Sequence, residues 1–278
     1  MLGVGIGIGR GSQLFSGGGG DAFDPDAQAF FIRVTDAGGT LSTTEQNAVN
    51  TLVVQMKANG IWTKMKAIYP MVGGGSGTTL QRSAACAQNL KSSSFTGTFT
   101  ATGWTFASTG ITPNNAAYMD SGLNVSTELA ANNSHISVYS RTLNLSHNAT
   151  SIGAFVSQSQ EFTLWANHNT LGKLMIHYKY PTGANIVSST DSRGFFIGNR
   201  TSNSSGKLYH DGSLISTNTN TDVGSLPSAN VWIGGSQNGT RDVKESAFAS
   251  IGDGLTDTEA SNLYTAVQAF QTTLARQV

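Results

Sequence analysis

The sequence predicts an all-β protein: a two-sheet, jelly-roll-like sandwich with one amphipathic helix before it and one after it. Three observations predict this. From about residue 95 to 252, short runs rich in Val, Ile, Thr, Tyr, Phe and Trp recur, punctuated by Gly, Asn and Ser. Asp211-Gly212 stands between two of these runs, the pairing that favours a tight hairpin turn. Two Ser/Thr-x-x-Glu segments, one on each side of the strand-rich stretch, open runs of apolar residues at helical spacing.

The elements follow in chain order. Residues 1–20 alternate Gly with Val and Ile and then run through Ser16-Gly17-Gly18-Gly19-Gly20. Alternation at period two suits an extended arm that adds to another sheet edge, with Val4, Ile6, Ile8, Leu14 and Phe15 as its partner-binding side chains. Residues 21–72 form a lead-in packed on the sandwich. Within it Ser42-Thr43-Thr44-Glu45 is a capping box, Val49, Leu52, Val53 and Met56 share one helical face, and Asn59-Gly60 supplies the stop. A strand is expected over 64–72. The sandwich spans 73–254, with strands expected over 104–108, 116–121, 135–142, 152–156, 161–167, 173–180, 193–199, 207–210, 213–216, 231–234 and 245–252. Residues 255–278 form the closing helix, capped by Thr256-Asp257-Thr258-Glu259. Leu263, Val267, Phe270 and Leu274 make its apolar stripe, and Arg276 is placed to complement its dipole.

Composition narrows the function. The formal net charge is +0 and charged residues make up 12%, against roughly 25% in an average protein. Nothing here attracts nucleic acid or an anionic membrane, and no apolar run approaches the ~20 residues of a membrane span. The first residues lack a basic stretch and read poorly as an export signal. The one cysteine, Cys86, sits among alanines and reads as a buried small hydrophobe rather than a reactive thiol.

Three segments carry a resemblance. Residues 206–215, with Tyr209-His210-Asp211-Gly212-Ser213 at the turn, resemble the hairpin of laminin-G-like and concanavalin A-like lectin domains. Val231-Trp232-Ile233-Gly234-Gly235 is similar to the next strand of those domains, and residues 248–259 to their final strand and the helix after it. Over roughly 25–278 the chain also resembles structural proteins of tailed-bacteriophage virions, in residues 60–70, 109–114 and 264–271. That resemblance implies a head-decoration, head-fibre or tail-fibre component.

A glycan-cleaving enzyme on such a fold needs paired carboxylates facing a cleft, and no Glu-x-Asp-x-x-Glu strand occurs. His135, His147, His168, His177 and His210 lack zinc-ligand spacing. No phosphate-cradling or nucleophile-elbow motif is present. Catalytic residues, metal ligands and cofactors are therefore expected to be absent. The lectin resemblance leaves one low-priority exception, a calcium ion held among Asp120, Asp191, Asp211 and Asp222. Sugar binding has a better physical basis. On the strand 161–167, Phe162, Leu164 and Ala166 fall on one face and Thr163, Trp165 and Asn167 on the other. An aromatic ring among polar groups can stack a sugar ring. Trp165, Asn167 and His177 of the following strand are the expected ligand-binding residues.

The resulting expectation is a non-enzymatic, oligomeric virion component, made in a bacterial cytoplasm. It would bind other virion proteins through residues 1–20 and display the sandwich outward. The alternative is an adhesin or lectin module recognising a host-surface glycan.

Overall fold

A computed structural model describes residues 23–222 and 224–278. The proposed arm, with Val4, Ile6, Ile8, Leu14 and Phe15, lies outside the described residues. The helices are α1 (Pro25–Asp36), α2 (Thr43–Ala58), α3 (Thr79–Cys86), α4 (Val125–Glu128) and α5 (Asp257–Thr273). The strands are β1 (Met65–Tyr69), β2 (Thr98–Phe99), β3 (Trp104–Ala107), β4 (Gly110–Pro113), β5 (Met119–Asn124), β6 (Ser134–Ser140), β7 (Ile152–Ser157) and β8 (Gln160–His168). They continue with β9 (Gly172–Tyr178), β10 (Ala184–Val187), β11 (Gly194–Arg200), β12 (Gly206–His210), β13 (Ser213–Asn218), β14 (Asn230–Ile233) and β15 (Ser246–Gly252).

The strands form two antiparallel sheets. An eight-stranded sheet runs β13-β12-β11-β6-β15-β4-β3, with β1 also pairing β15; a seven-stranded sheet runs β10-β9-β8-β7-β14-β5-β2. Every expected strand is present. The hairpin between β12 and β13 turns on Asp211 and Gly212, both at positive φ (48° and 76°), as a two-residue turn matched to strand twist requires.

The helix count departs from expectation. Two substantial helices, not one, precede the sandwich strands. Helix α1 is capped by the Asp24 side chain, which accepts from Asp26 N at 2.9 Å, and begins with Pro25, whose fixed φ suits the first helical turn. The capping boxes of α2 and α5 form as the sequence indicates. The lead-in is also not merely packed on the sandwich, because β1 pairs along β15 from Tyr69↔Ala249 to Met65↔Gly252 and so belongs to the eight-stranded sheet.

Helices α1, α2 and α5 cover the outer face of that sheet. Their Phe30, Phe31, Val49, Leu52, Leu263, Val267 and Phe270 meet Tyr139, Phe195, Ile197, Tyr209 and Phe248 from the strands. The opposite face supplies Ile136, Val138, Phe196, Leu208, Ala249 and Ile251 to the core shared with Ile152, Ala154, Phe162, Leu164 and Met175 of the second sheet. Covered on both sides, β6, β11 and β15 are buried at every residue. Each fully buried large apolar side chain in these layers contributes about 1.5–3 kcal/mol.

The C-terminal segment is fixed by Arg276. This side chain does not lie along the helix to answer its dipole. It folds inward, wholly buried, and donates to Met71 O (3.0 Å), Pro70 O (2.6 Å), Ala247 O (2.9 Å) and Gln271 Oε1 (2.5 Å). Three segments distant in sequence thus meet on one guanidinium, whose rigid fork suits several acceptors at once. Cys86 is buried as expected, with Sγ 3.4 Å from Val72 O, and burial pushes its thiol up to about 12.

Candidate functional site

Helices α1, α2 and α5 leave the outer face of the seven-stranded sheet free, but its β8–β9 end is covered by loops, and Glu161, Thr163, Trp165, Asn167 and Ile176 are buried there. Cross-strand register puts Ile176, Thr163, Gly153, Trp232, Asp120 and Thr98 in one row across β9, β8, β7, β14, β5 and β2. With neighbouring strands about 4.8 Å apart, this row is roughly 24 Å long, the length of a short oligosaccharide. Gly153 lies mid-row because a Cβ there would stand 2.6 Å from Phe162 O and 2.7 Å from Thr163 Cα.

At one end of the row, Phe155, Gln158, Glu161, Trp165, His168, Tyr180 and Asn238 border a depression of about 350 Å³. On β8 the Trp165 indole Nε1 donates to Thr163 Oγ1 (3.1 Å), and the Thr163 hydroxyl donates to Glu161 Oε1 (2.7 Å). Near the other end, Tyr118 stacks on Trp232 with ring centroids 3.7 Å apart. The Arg241 guanidinium carbon lies 4.9 Å and 4.8 Å from those two ring centres. Thr98, Phe99, Tyr118, Asp120 and Asn230 line a second depression there, of about 390 Å³. Two loops hold Arg241 in place: His147 Nε2 donates to Arg241 O (2.8 Å), and the Thr150 and Thr240 hydroxyls lie 3.2 Å apart.

A further depression of about 420 Å³ lies at the helical side, between Glu45, Ser108 and Leu274. It has no aromatic wall, and Glu45 is already engaged in the cap of α2 and by Gly73 N at 2.7 Å.

The structure separates the three residues expected to bind ligand. Trp165 does lie on the outer face, opposite Phe162, Leu164 and Ala166, but it is only 6% exposed. Asn167 shares that face, yet its Nδ2 donates to Leu145 O at 2.8 Å and the residue is 2% exposed. His177 is not with them. It pairs with Phe162 across β8 and β9 and points between the sheets, close to Tyr178, Asn185 and Arg200. Trp165 is opposite Leu174 instead, which puts Ile176 on its face. Nor do the four aspartates converge: Asp191 pairs with Arg193, Asp222 with Lys179, Asp211 accepts from Phe195 N, and Asp120 is on the sheet face. Among the described residues no three His, Cys, Asp or Glu side chains are grouped to hold a metal. Glu161, Tyr118, Trp232 and Arg241 have no place in the sequence-derived site; alternation from Trp165 would have put Glu161 on its face.

No protein-family model matches the sequence, and no curated protein matches it. Solved structures do match in shape. Domain 4 of AbnA, an extracellular GH43 arabinanase from Geobacillus stearothermophilus solved with arabinotriose, superposes with a TM-score of 0.55 at 14% identity, covering 72% of this chain and 98% of that domain. The fold is a two-sheet, jelly-roll-like β-sandwich. The botulinum neurotoxin serotype D binding domain gives 0.47 at 13% identity, covering 74% of this chain and 52% of that one. Trypanosoma rangeli sialidase gives 0.46 at 10%, covering 79% and 38%. The chain therefore spans about half or less of the length of these last two.

Burial sets the protonation of three groups in opposite senses. It pushes the His135 and His177 imidazoles down to about 4 and about 3, and the Glu161 carboxyl up to about 7. The unfolded chain takes up protons on both histidines below their ordinary value of 6.5, whereas the folded chain does not. Their contribution is complete above pH 6.5 and is lost as pH falls toward 4. Glu161 acts the other way, since the folded chain keeps its proton up to about 7 while the unfolded chain ionises from 4.5. Between pH 4.5 and 6.5 two imidazoles outweigh one carboxyl, so stability rises with pH by about 1.4 kcal/mol per unit. Glu161→Gln removes the opposing group and steepens the slope to about 2.7 kcal/mol per unit. Urea unfolding at pH 5.0, 5.5 and 6.0 checks both values; an equal slope in the two proteins would contradict the assignment of Glu161.

Proposed function

We propose that this protein is a non-enzymatic carbohydrate-binding sandwich that takes its glycan at the depressions at the two ends of the row from Ile176 to Thr98. The observation that carries this reading is a pair of depressions on the helix-free sheet face, each walled by aromatic and polar side chains, one at each end of the row. Rings of that kind stack on sugar faces, while Asn, Gln and Thr side chains supply the few directed hydrogen bonds such sites use. The arabinotriose complex of the AbnA domain is consistent with a sandwich of this shape serving as a sugar-binding module.

Carboxyl placement supports the non-enzymatic part. Glu161 and Asp120 border different depressions on strands three steps apart, a separation of about 14 Å by strand spacing. Glycosidase pairs stand about 5–9.5 Å apart.

Trp232→Ala removes one ring of the half-buried Tyr118–Trp232 stack without opening the inter-sheet core. It is expected to lower affinity for any glycan bound by the unaltered protein by about tenfold or more, the scale of one ring-stacking contact. A glycan array followed by calorimetry on the hits checks this. Absence of any bound glycan, or unchanged affinity in the variant, would end the reading.

The virion setting is the finer reading, supported by the resemblance of residues 60–70, 109–114 and 264–271 and by the Gly-rich arm. In it the protein assembles as an oligomer in the bacterial cytoplasm and joins the particle through residues 1–20. Deleting residues 1–20 is then expected to leave a folded sandwich that no longer enters particles, as scored by immunoblot of purified virions. Undiminished incorporation would remove the anchoring role.

A further inference from the structure

The depression beside Trp165 differs from the rest of the face in its charge. Glu161 is 4% exposed. Its Oε1 accepts from the Thr163 hydroxyl, whose single proton is directed there because its oxygen already accepts from the Trp165 indole. Glu161 Oε2 has no partner among the described residues, and no basic side chain pairs with this carboxyl. Of the two nearest lysines in sequence, Lys173 donates to Ser189 Oγ at 2.9 Å and Lys179 is paired with Asp222 at 2.5 Å. His168, tilted against Trp165 with ring centres 5.3 Å apart, is shifted by burial toward its neutral form. The remaining walls are uncharged: the rings of Phe155 and Tyr180, the amides of Gln158 and Asn238, and the aliphatic Leu171 and Ile176.

A desolvated carboxyl without an internal counter-charge discriminates among ligands. An anionic sugar is repelled. A neutral hydroxyl can donate to Oε2 but leaves the buried charge uncompensated. A cation compensates the charge and is attracted by the negative faces of the surrounding rings. We propose that this depression takes the ammonium group of an amine-bearing sugar, with Glu161 Oε2 as its acceptor and Trp165 and Tyr180 as its walls. The proposal rests on the carbohydrate-binding reading of the face and names the substituent recognised at this end of it. Burial raises the carboxyl to about 7 in the free protein, so ammonium binding draws off a proton and weakens as pH falls below that value. His168, Tyr180 and the Lys179–Asp222 pair are the other titratable groups nearby.

The test follows the Trp165 indole N–H signal by NMR at pH 7.5 during titration with glucosamine, glucose, N-acetylglucosamine and tetramethylammonium, in the unaltered protein and in Glu161→Gln. Glucosamine is expected to half-saturate the shift at about a tenfold lower concentration than glucose or N-acetylglucosamine, the scale of a desolvated cation–ring contact. Glu161→Gln is expected to bring that ratio to about one. If glucosamine and glucose bind alike in the unaltered protein, the ammonium site is overturned and the glycan face stands. If tetramethylammonium binds and no sugar does, the cation site stands and the glycan reading falls. If no probe moves the signal, both fall.

Discussion

Strands β6, β11 and β15 are enclosed by helices on one side and by the second sheet on the other, and the remaining architecture follows from that enclosure. A strand buried on both faces has no solvent side on which to put charge. It carries Phe195, Phe196 and Ile197 in succession, or Ala247, Phe248 and Ala249, and its inward polar groups must find partners in the interior. Several do: Ser137 and Ser250 lie 2.6 Å apart, and His135 reaches Asp253 O at 2.6 Å, whereas Ser140 Oγ and Arg200 Nε and Nη1 are buried without one. The helical layer that completes the enclosure is tied down by Arg276 at the C-terminal side, and at the start of α5 by Asp257, which accepts from Tyr209 at 2.7 Å and from Lys207 at 2.5 Å.

The same enclosure decides where a ligand can lie. Helices occupy the outer face of the larger sheet, and the space between the sheets is filled by their shared core. The outer face of the second sheet remains, and its two depressions are lined by side chains of the kind that binding sites use. Tyr118 and Trp232 stack beneath a guanidinium, and Glu161 and Asp120 border separate depressions. This division of labour resembles other sandwiches only in outline, because the rings and carboxyls belong to this chain's own strands and loops.

Much of the fold was legible because it is written in local spacing. The capping boxes at Ser42 and Thr256 and the Asp211-Gly212 turn each depend on a few neighbouring residues, and each forms as read. Helix α1 carried an equally local signal in Asp24-Pro25 with Phe30, Phe31 and Val34 behind it, and that signal went unused. Strand β2, with two residues, is too brief for period-two alternation to emerge. The site was less legible. Alternation along β8 correctly put Trp165 and Asn167 on one face, but whether His177 or Ile176 joins them depends on the register between β8 and β9, which a single strand does not encode. Asn167 is engaged by Leu145 from a loop more than twenty residues away. The burial that sets Glu161 apart likewise comes from long-range packing.

Amide hydrogen exchange by NMR tests the central claim, that the larger sheet is enclosed by helices while the second sheet lies open at its β14–β5–β2 end. The account predicts that amides of β6, β11 and β15 exchange only through global unfolding, with protection free energies equal to the stability from urea melts. Amides of β2, β5 and β14 on the open sheet are predicted to exchange earlier, through local opening. Equal protection in both sheets, or faster exchange in β6, β11 and β15, would contradict it.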